Sequence, residues 1–265
     1  MTAVLEAIYA GYTEGWTDPA GTDACRRNLA EQSIWLGGLL ATLLPDEPEA
    51  LGLLALMLFA QARRDARRDA AGRHVPLAEQ DVARWDARMI AEAESLLRRA
   101  AALAQPGQPA PPAGPPGENT EGPGPRVGAP AGLGSRVGRF QLEAAIQSAH
   151  VVRRRSGRAD WPAIERLYAA LGQLTGSPVV TLNRAVALAE VAGPAAALAL
   201  LDELAADATT AAQLADYQPW WAARAGLLQR LGDAAAADAA YARAIGLESD
   251  PAVRAFLQQR RGAAA

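Results

Sequence analysis

The chain has 265 residues, half of them hydrophobic but only 5% aromatic, with 26 basic and 29 acidic side chains and a net charge of −3. Ala and Leu dominate, so an all-α protein with a sizeable core is expected, and a slightly acidic chain lacks the basic face that displaces counterions from nucleic acid. That excludes direct DNA binding by this chain alone, and no apolar run nears the ~20 uncharged residues of a membrane span.

The single Cys25 cannot form an internal disulfide, and Glu6 with no basic flank does not resemble a secretory leader; both point to the cytoplasm. Val4, Leu5, Ile8 and Tyr9 predict a first helix over 1–16, broken by Asp18, Pro19 and Gly21. A second runs from about Thr22, a good N-cap, to Leu44, with Ile34, Trp35 and Leu39 expected in the core. Gly37 and Gly38 inside it each cost about 1 kcal/mol relative to Ala, which close packing on a neighbouring helix would explain.

Beyond Pro45, with Pro48 suited to an early helical position, Leu51, Leu53, Leu54, Leu56, Met57, Leu58 and Phe59 form a dense apolar helix expected to emerge into solvent at Arg63. A connector centred on Gly72 and Pro76 follows. Glu79, Gln80 and Asp81 then supply acidic and capping groups to a helix beginning near Val82, which carries Trp85, Met89, Ile90, Ala93, Leu96, Leu97 and Leu103 on to Gln105.

Residues 106–135 are almost wholly Pro, Gly and Ala and cannot form a packed core, so they are expected to be a disordered insertion. They separate an N-terminal helical half over 1–105 from a second over 136–265. Gly132, Gly134 and Gly138 precede a helix but lack the strand that a phosphate loop requires.

Repetition emerges in the second half. Trp221, Ala225, Leu228, Ala237, Tyr241 and Ala244, followed by Pro251, have the spacing of a tetratricopeptide-like helix pair. Ala185, Leu188, Ala197, Leu201 and Leu204 occupy the corresponding places one unit earlier, and Ile164, Tyr168 and Leu171 those of the unit before. Small residues fall where paired helices approach, and Gly176, Gly193 and Gly232 fall at turns. With pairs over 4–44 and 48–105, the expected fold is an all-α, tetratricopeptide-like right-handed superhelix of about five helix pairs plus a terminal helix, with a concave groove suited to another polypeptide.

No catalytic, cofactor or metal constellation stands out. His74 and His150 lie in separate segments with no second ligand at i+4. Glu47 with Glu49, and Asp65 with Asp69, sit among arginines where ion pairing accounts for them. Arg63, Arg64, Arg67 and Arg68, and the arginines at 153–155, are diluted by Asp65, Asp69 and Asp160 into a solvated face.

Two clusters are candidates for partner contact. One is Gln80, Asp81, Arg84 and Asp86, beside Asp69, Gly72 and Trp85, where the alternative is structural: a core Trp85 and acids that satisfy backbone amides or arginines. The other is Asn183 with Arg184, where an Asn on an inner helix face can clamp an extended peptide and the arginine can fork onto a carboxylate.

Leu44, Pro45, Asp46, Glu47, Pro48, Glu49, the run 54–58, Ala62, Arg63, Arg64, Ala66, Arg67, Asp69, Gly72, Gln80, Asp81, Trp85 and Asp86 carry a family resemblance. Without a gap, this stretch resembles the C-terminal extension of those extracytoplasmic-function (ECF) RNA polymerase sigma factors whose extension is tetratricopeptide-like. It departs at Ala60 and Gln61, where that family has His-Asp, at Ala71 for Asp and at Val82 for Arg. The segments at 138–150, 160–171, 177–191 and 214–232 are also similar, with Gln218 and Trp221 where His is commoner.

The resemblance implies a regulatory, protein-interaction domain acting in transcription initiation through sigma regions, RNA polymerase or a regulator peptide, without catalysis or cofactor. It gives Arg63, Arg64, Asp69, Gly72 and Trp85 structural roles. The sigma regions themselves would precede residue 1, and no basic recognition helix replaces them, which leaves a fragment, a mis-set start or a stand-alone regulator open. A stand-alone scaffold, or a helical ligand-binding protein or hydrolase using the loop at 69–86, are the alternatives.

Overall fold

The computed structural model describes residues 1–16, 24–104 and 137–263, with the side chains of 24–27 outside the description. The expected insertion at 106–135, the Thr22 cap and the thiol of Cys25 therefore lie outside the described residues. The described residues are all-α: α1 Thr2–Trp16, α2 Ala24–Leu43, α3 Pro48–Gln61, α4 Ala87–Ala104, α5 Arg139–Val151, α6 Arg153–Ser156, α7 Trp161–Thr175, α8 Pro178–Val191, α9 Pro194–Ala205, α10 Ala208–Leu214, α11 Gln218–Leu231, α12 Ala234–Leu247 and α13 Pro251–Gly262. A single antiparallel bridge joins Arg68 to His74.

Local chemistry accounts for many of the boundaries. Asp160, Asp207, Asp233 and Asp250 stand at N-caps and accept hydrogen bonds from first-turn amides, so α7, α10, α12 and α13 each start with otherwise orphaned N–H groups satisfied. Gly176 and Gly232 close α7 and α11 in the left-handed region at φ 62° and 82°, which a side chain with a Cβ adopts only under strain.

Helices adjacent in sequence pack together as α1 with α2, α3 with α4, α5 with α7, α8 with α9, and α11 with α12, with α13 laid on α12. Successive pairs join through α2 on α3, α3 on α5, α7 on α8, and α9 on α11. Ala185, Ala197, Ala225, Ala237 and Ala244 are completely inaccessible to solvent. Their lack of bulk lets the helix backbones approach closely.

The centre of the first half is α3, in which every residue from Ala50 to Phe59 is buried. A helix apolar all round must be enclosed, and α1, α2, α4 and α5 enclose this one. The approach to α5 is tight: a Cβ on Gly52 would meet the Gln141 backbone nitrogen at 2.8 Å. Glu49 seals the same contact by accepting from the amides of Phe140 and Gln141, both at 3.0 Å.

The structure corrects several sequence expectations. Glu49 serves as a carboxylate at the N-terminus of α5, and Glu47 caps α3 by accepting from the Glu49 amide, so neither is explained by ion pairing. Trp35 and Leu39 are not core but 66% and 42% exposed. Instead α2 packs inward through Ala30, Ser33, Ile34, Gly37 and Ala41, and Gly37 lies against Met57, whereas Gly38 faces open space. The helix after the connector starts at Ala87 rather than near Val82, because Asp86 accepts from the amides of Arg88 and Met89 at 2.8 and 2.9 Å. Arg63 does not emerge into solvent; the chain turns there and stays against the core.

Candidate functional site

Residues 62–86, between α3 and α4, fold as a compact segment rather than an open polar loop. The amide of Asp86 donates to the Ala62 carbonyl at 2.9 Å and pins its ends together. Between them lie three short 3-10 turns, Arg64–Arg67, Leu77–Glu79 and Val82–Arg84. Asp69 organises the first bend, accepting from the amides of Ala71 and Arg73 and pairing with the Arg73 guanidinium at 2.7 Å, while Gly72 turns the chain at φ 75°. These amide bonds, with the Arg73 side chain, hold the Asp69 carboxyl below its usual range.

The segment is the meeting point for distant parts of the chain. Arg67 donates to the Trp16 carbonyl at 3.1 Å and places its guanidinium 4.4 Å from the Trp16 ring, a cation set at the end of α1. Arg153 of α6 donates to the carbonyls of Leu77, Ala78 and Gln80. Arg68 pairs with Asp250 at 2.5 Å, and His74 lies edge-on to Phe256, which ties the segment to the N-terminal end of α13. Beginning, middle and end of the sequence converge here.

Of the loop residues put forward for partner contact, each has a structural task. Gln80 is buried and donates to the Val75 carbonyl, Asp81 caps the turn at Val82–Arg84 through the Ala83 amide, and Asp86 caps α4. Arg84 staples the segment to itself through the carbonyls of Arg68 and Asp65. Trp85 is buried at 3% exposure under the guanidinium groups of Arg63 and Arg153, at 5.9 and 5.4 Å from its ring. Arg64 buries one terminal nitrogen that has no hydrogen-bond partner among the described residues.

The second cluster is not brought to the first. Asn183 is exposed on α8, while Arg184 donates to Glu165 on α7 at 2.8 Å and so braces two helices. Its guanidinium is thereby already engaged with a carboxylate.

The sequence reading missed a cavity of about 310 Å³ under the segment. Leu77, Ala78 and Trp85 form its roof; His150, Arg153, Ala159, Trp161, Ile164, Tyr168, Val186 and Ala187, from α5 to α8, form its walls. His150 sits edge-on to Trp161 with ring centres 5.6 Å apart. Burial, then the charges of Arg63 and Arg153, push the imidazole down to about 4, so it is neutral at pH 7. Burial brings Arg63 to about 10, still charged at neutral pH, and raises Tyr168 to about 12. Spacing alone could not reveal this cavity, because its lining comes from five separate stretches of chain. Among the described residues no group of three or more His, Cys, Asp or Glu side chains is arranged to hold a metal, and no helix is long and apolar enough to cross a membrane.

The other conspicuous surface is on α2, where Leu29, Trp35, Leu36, Leu39 and Leu43 are all exposed, Leu43 at 67%. Separations of three, four and seven residues put them on one helical stripe.

Residues 1–101, which take in α1 to α3, the segment at 62–86 and most of α4, match the sequence profile of a family of unknown function (DUF6596). An uncharacterized protein of Rhizobium meliloti (strain 1021) is 34% identical over 260 residues, 98% of this chain and 53% of its own length. No solved structure matches. The chain thus spans about half the length of the curated relative it matches.

Proposed function

We propose that this chain is a protein-interaction module of an ECF-type RNA polymerase sigma factor, acting in transcription initiation through protein contacts and without catalysis. Its helix pairs would form a tetratricopeptide-like right-handed superhelix; the buried alanines between paired helices and the five consecutive pairs support that geometry. The observation that carries a role in protein contact is the apolar stripe of α2, since a contiguous exposed apolar face on a folded domain marks an interaction surface. The occupant we assign to it is the sigma regions. What supports them over another partner is the resemblance of residues 44–86 to sigma-factor extensions.

The role is tested by measuring binding of the purified chain to immobilised sigma regions of the same system and, separately, to core RNA polymerase. Binding to either, with no sequence-specific shift of promoter DNA by the chain alone, is the expected result. Failure to bind both would overturn the reading, as would salt-sensitive, promoter-specific DNA binding.

A further inference from the structure

The ion pair between Arg68 and Asp250 joins parts of the chain that helix packing alone leaves remote from each other. From α3 to α13 the packed helices run through α5, α7, α8, α9, α11 and α12, each resting on the next. A stack held by neighbour contacts does not need its distant members to touch. Here they touch through polar and aromatic groups: the Arg68 guanidinium lies on the Asp250 carboxylate at 2.5 Å, and the His74 ring stands edge-on to Phe256 with centres 5.5 Å apart. Among the described residues no buried apolar cluster spans the junction; one draws on α1 to α5 with Leu77 and Val82 of the segment, another on α11 to α13.

Both sides of this contact are built independently of it. Oδ1 of Asp250 accepts from the amides of Ala252 and Val253 and so caps α13, while Oδ2 receives Arg68. On the other side Arg68 donates from its second terminal nitrogen to the Gly72 carbonyl within its own bend, and Arg84 holds the Arg68 carbonyl. Neither side has to be reshaped for the contact to form or to break. Closure also carries a cost, because the Nε of Arg68 is buried with no acceptor among the described residues, a loss that water makes good once the junction opens. A small polar junction without apolar packing across it is one at which parts of a chain move.

We propose that Arg68 and Asp250 form a clasp with two states: closed, as in the structure, and open, with α11 to α13 swung away from residues 68–74 about the junctions of α8, α9 and α11. In the closed state α13 covers this side of the segment. Opening uncovers Arg68, His74 and Phe256, a guanidinium beside two rings, as a surface that the closed molecule withholds. This assignment is independent of any role in transcription.

The test is the distance between nitroxide labels on the full chain at Ala71→Cys and Gln259→Cys, both exposed positions, with Cys25→Ser so that no third thiol is labelled. Pulsed electron spin resonance on this labelled parent should give a short distance as the main population and a longer one as the minor. Asp250→Asn keeps an oxygen for the α13 cap but removes the charge, and should raise the share of the longer distance about threefold or more. Should that variant fail to fold by circular dichroism, Arg68→Met breaks the same bond from the other side and should have the same effect. The two substitutions together should add nothing to the larger single effect, because each alone breaks the one bond. A short distance that neither substitution disturbs would make the contact a fixed brace and overturn the proposal. So would a longer distance alone in the parent, or effects of the two substitutions that add.

Discussion

Two tryptophans show how residue type and environment part company. Trp85 lies at 3% exposure between guanidinium groups, while Trp35 stands 66% exposed on α2. Truncating Trp85 to Ala should cost about 3 to 5 kcal/mol by lost transfer energy and an unfilled cavity, whereas Trp35→Ala should change stability by less than about 0.5 kcal/mol. Urea unfolding of both variants measures the contrast. The burial of Trp85 is expected from an apolar helical pattern, yet the residue follows a 3-10 turn and precedes the helix at Ala87; the exposure of Trp35 is not expected, because helical spacing does not show which face of α2 packs on α1 and α3. His150 supplies a pH signature. Folding holds its imidazole near 4 against 6.5 for the free side chain, so the unfolded chain binds more protons between those values. Its stabilising contribution is present above about 6.5 and is lost as pH falls toward 4, up to about 3 kcal/mol. His150→Phe should therefore lose less stability than the parent chain between pH 7 and pH 4.5; parallel slopes in chemical denaturation would contradict the burial of a neutral imidazole.

At the scale of elements, the second half was the more legible because its signals are local. Ala and Leu recur at helical spacing, Asp stands at the starts of α7, α12 and α13, and Gly closes α7 and α11. What holds residues 62–86 is non-local: Arg153 arrives from α6 and Asp250 from the start of α13, contacts that no spacing announces. The same holds for the junction of α3 with α5. Glu49 looked like one member of a surface acid pair, yet its carboxylate receives two amides at 3.0 Å across that junction, and Gly52 lets the α5 backbone come close. Glu49→Ala should cost about 1.5 to 3 kcal/mol, since it strands partly buried donors at a helix N-terminus. Gly52→Ala should cost about 1 to 3 kcal/mol despite the better helix propensity of Ala, because the new methyl meets backbone rather than a movable side chain. A more stable Gly52→Ala protein in thermal unfolding would mean that α3 and α5 are not so closely apposed.

Across the whole molecule, the segment at 62–86 touches the end of α1 through Arg67, the α5–α6 region through Leu77, Ala78 and Gln80, and the start of α13 through Arg68. Contacts of this kind preserve architecture, so a proposed partner contact is sought on surfaces that the architecture leaves free. The stripe of Trp35, Leu36, Leu39 and Leu43 is one such surface; Asn183 and Arg184 on α8 are the other candidate, although Arg184 already braces Glu165. Replacing Trp35, Leu39 and Leu43 together with Ser removes apolar area that is already solvated, so the unfolding midpoint should stay near that of the parent while affinity for the proposed partner, sigma regions or polymerase, falls by about tenfold or more. Ala at both Asn183 and Arg184 should cost little more than the partly exposed ion pair, below about 1 kcal/mol, and should weaken binding only if the partner lies across α8. Binding that survives the α2 substitutions but is lost with the α8 pair would move the interface to α8 and remove the α2 assignment. Loss in neither, in folded proteins, would leave the exposed groups of the 62–86 segment as the remaining contact surface.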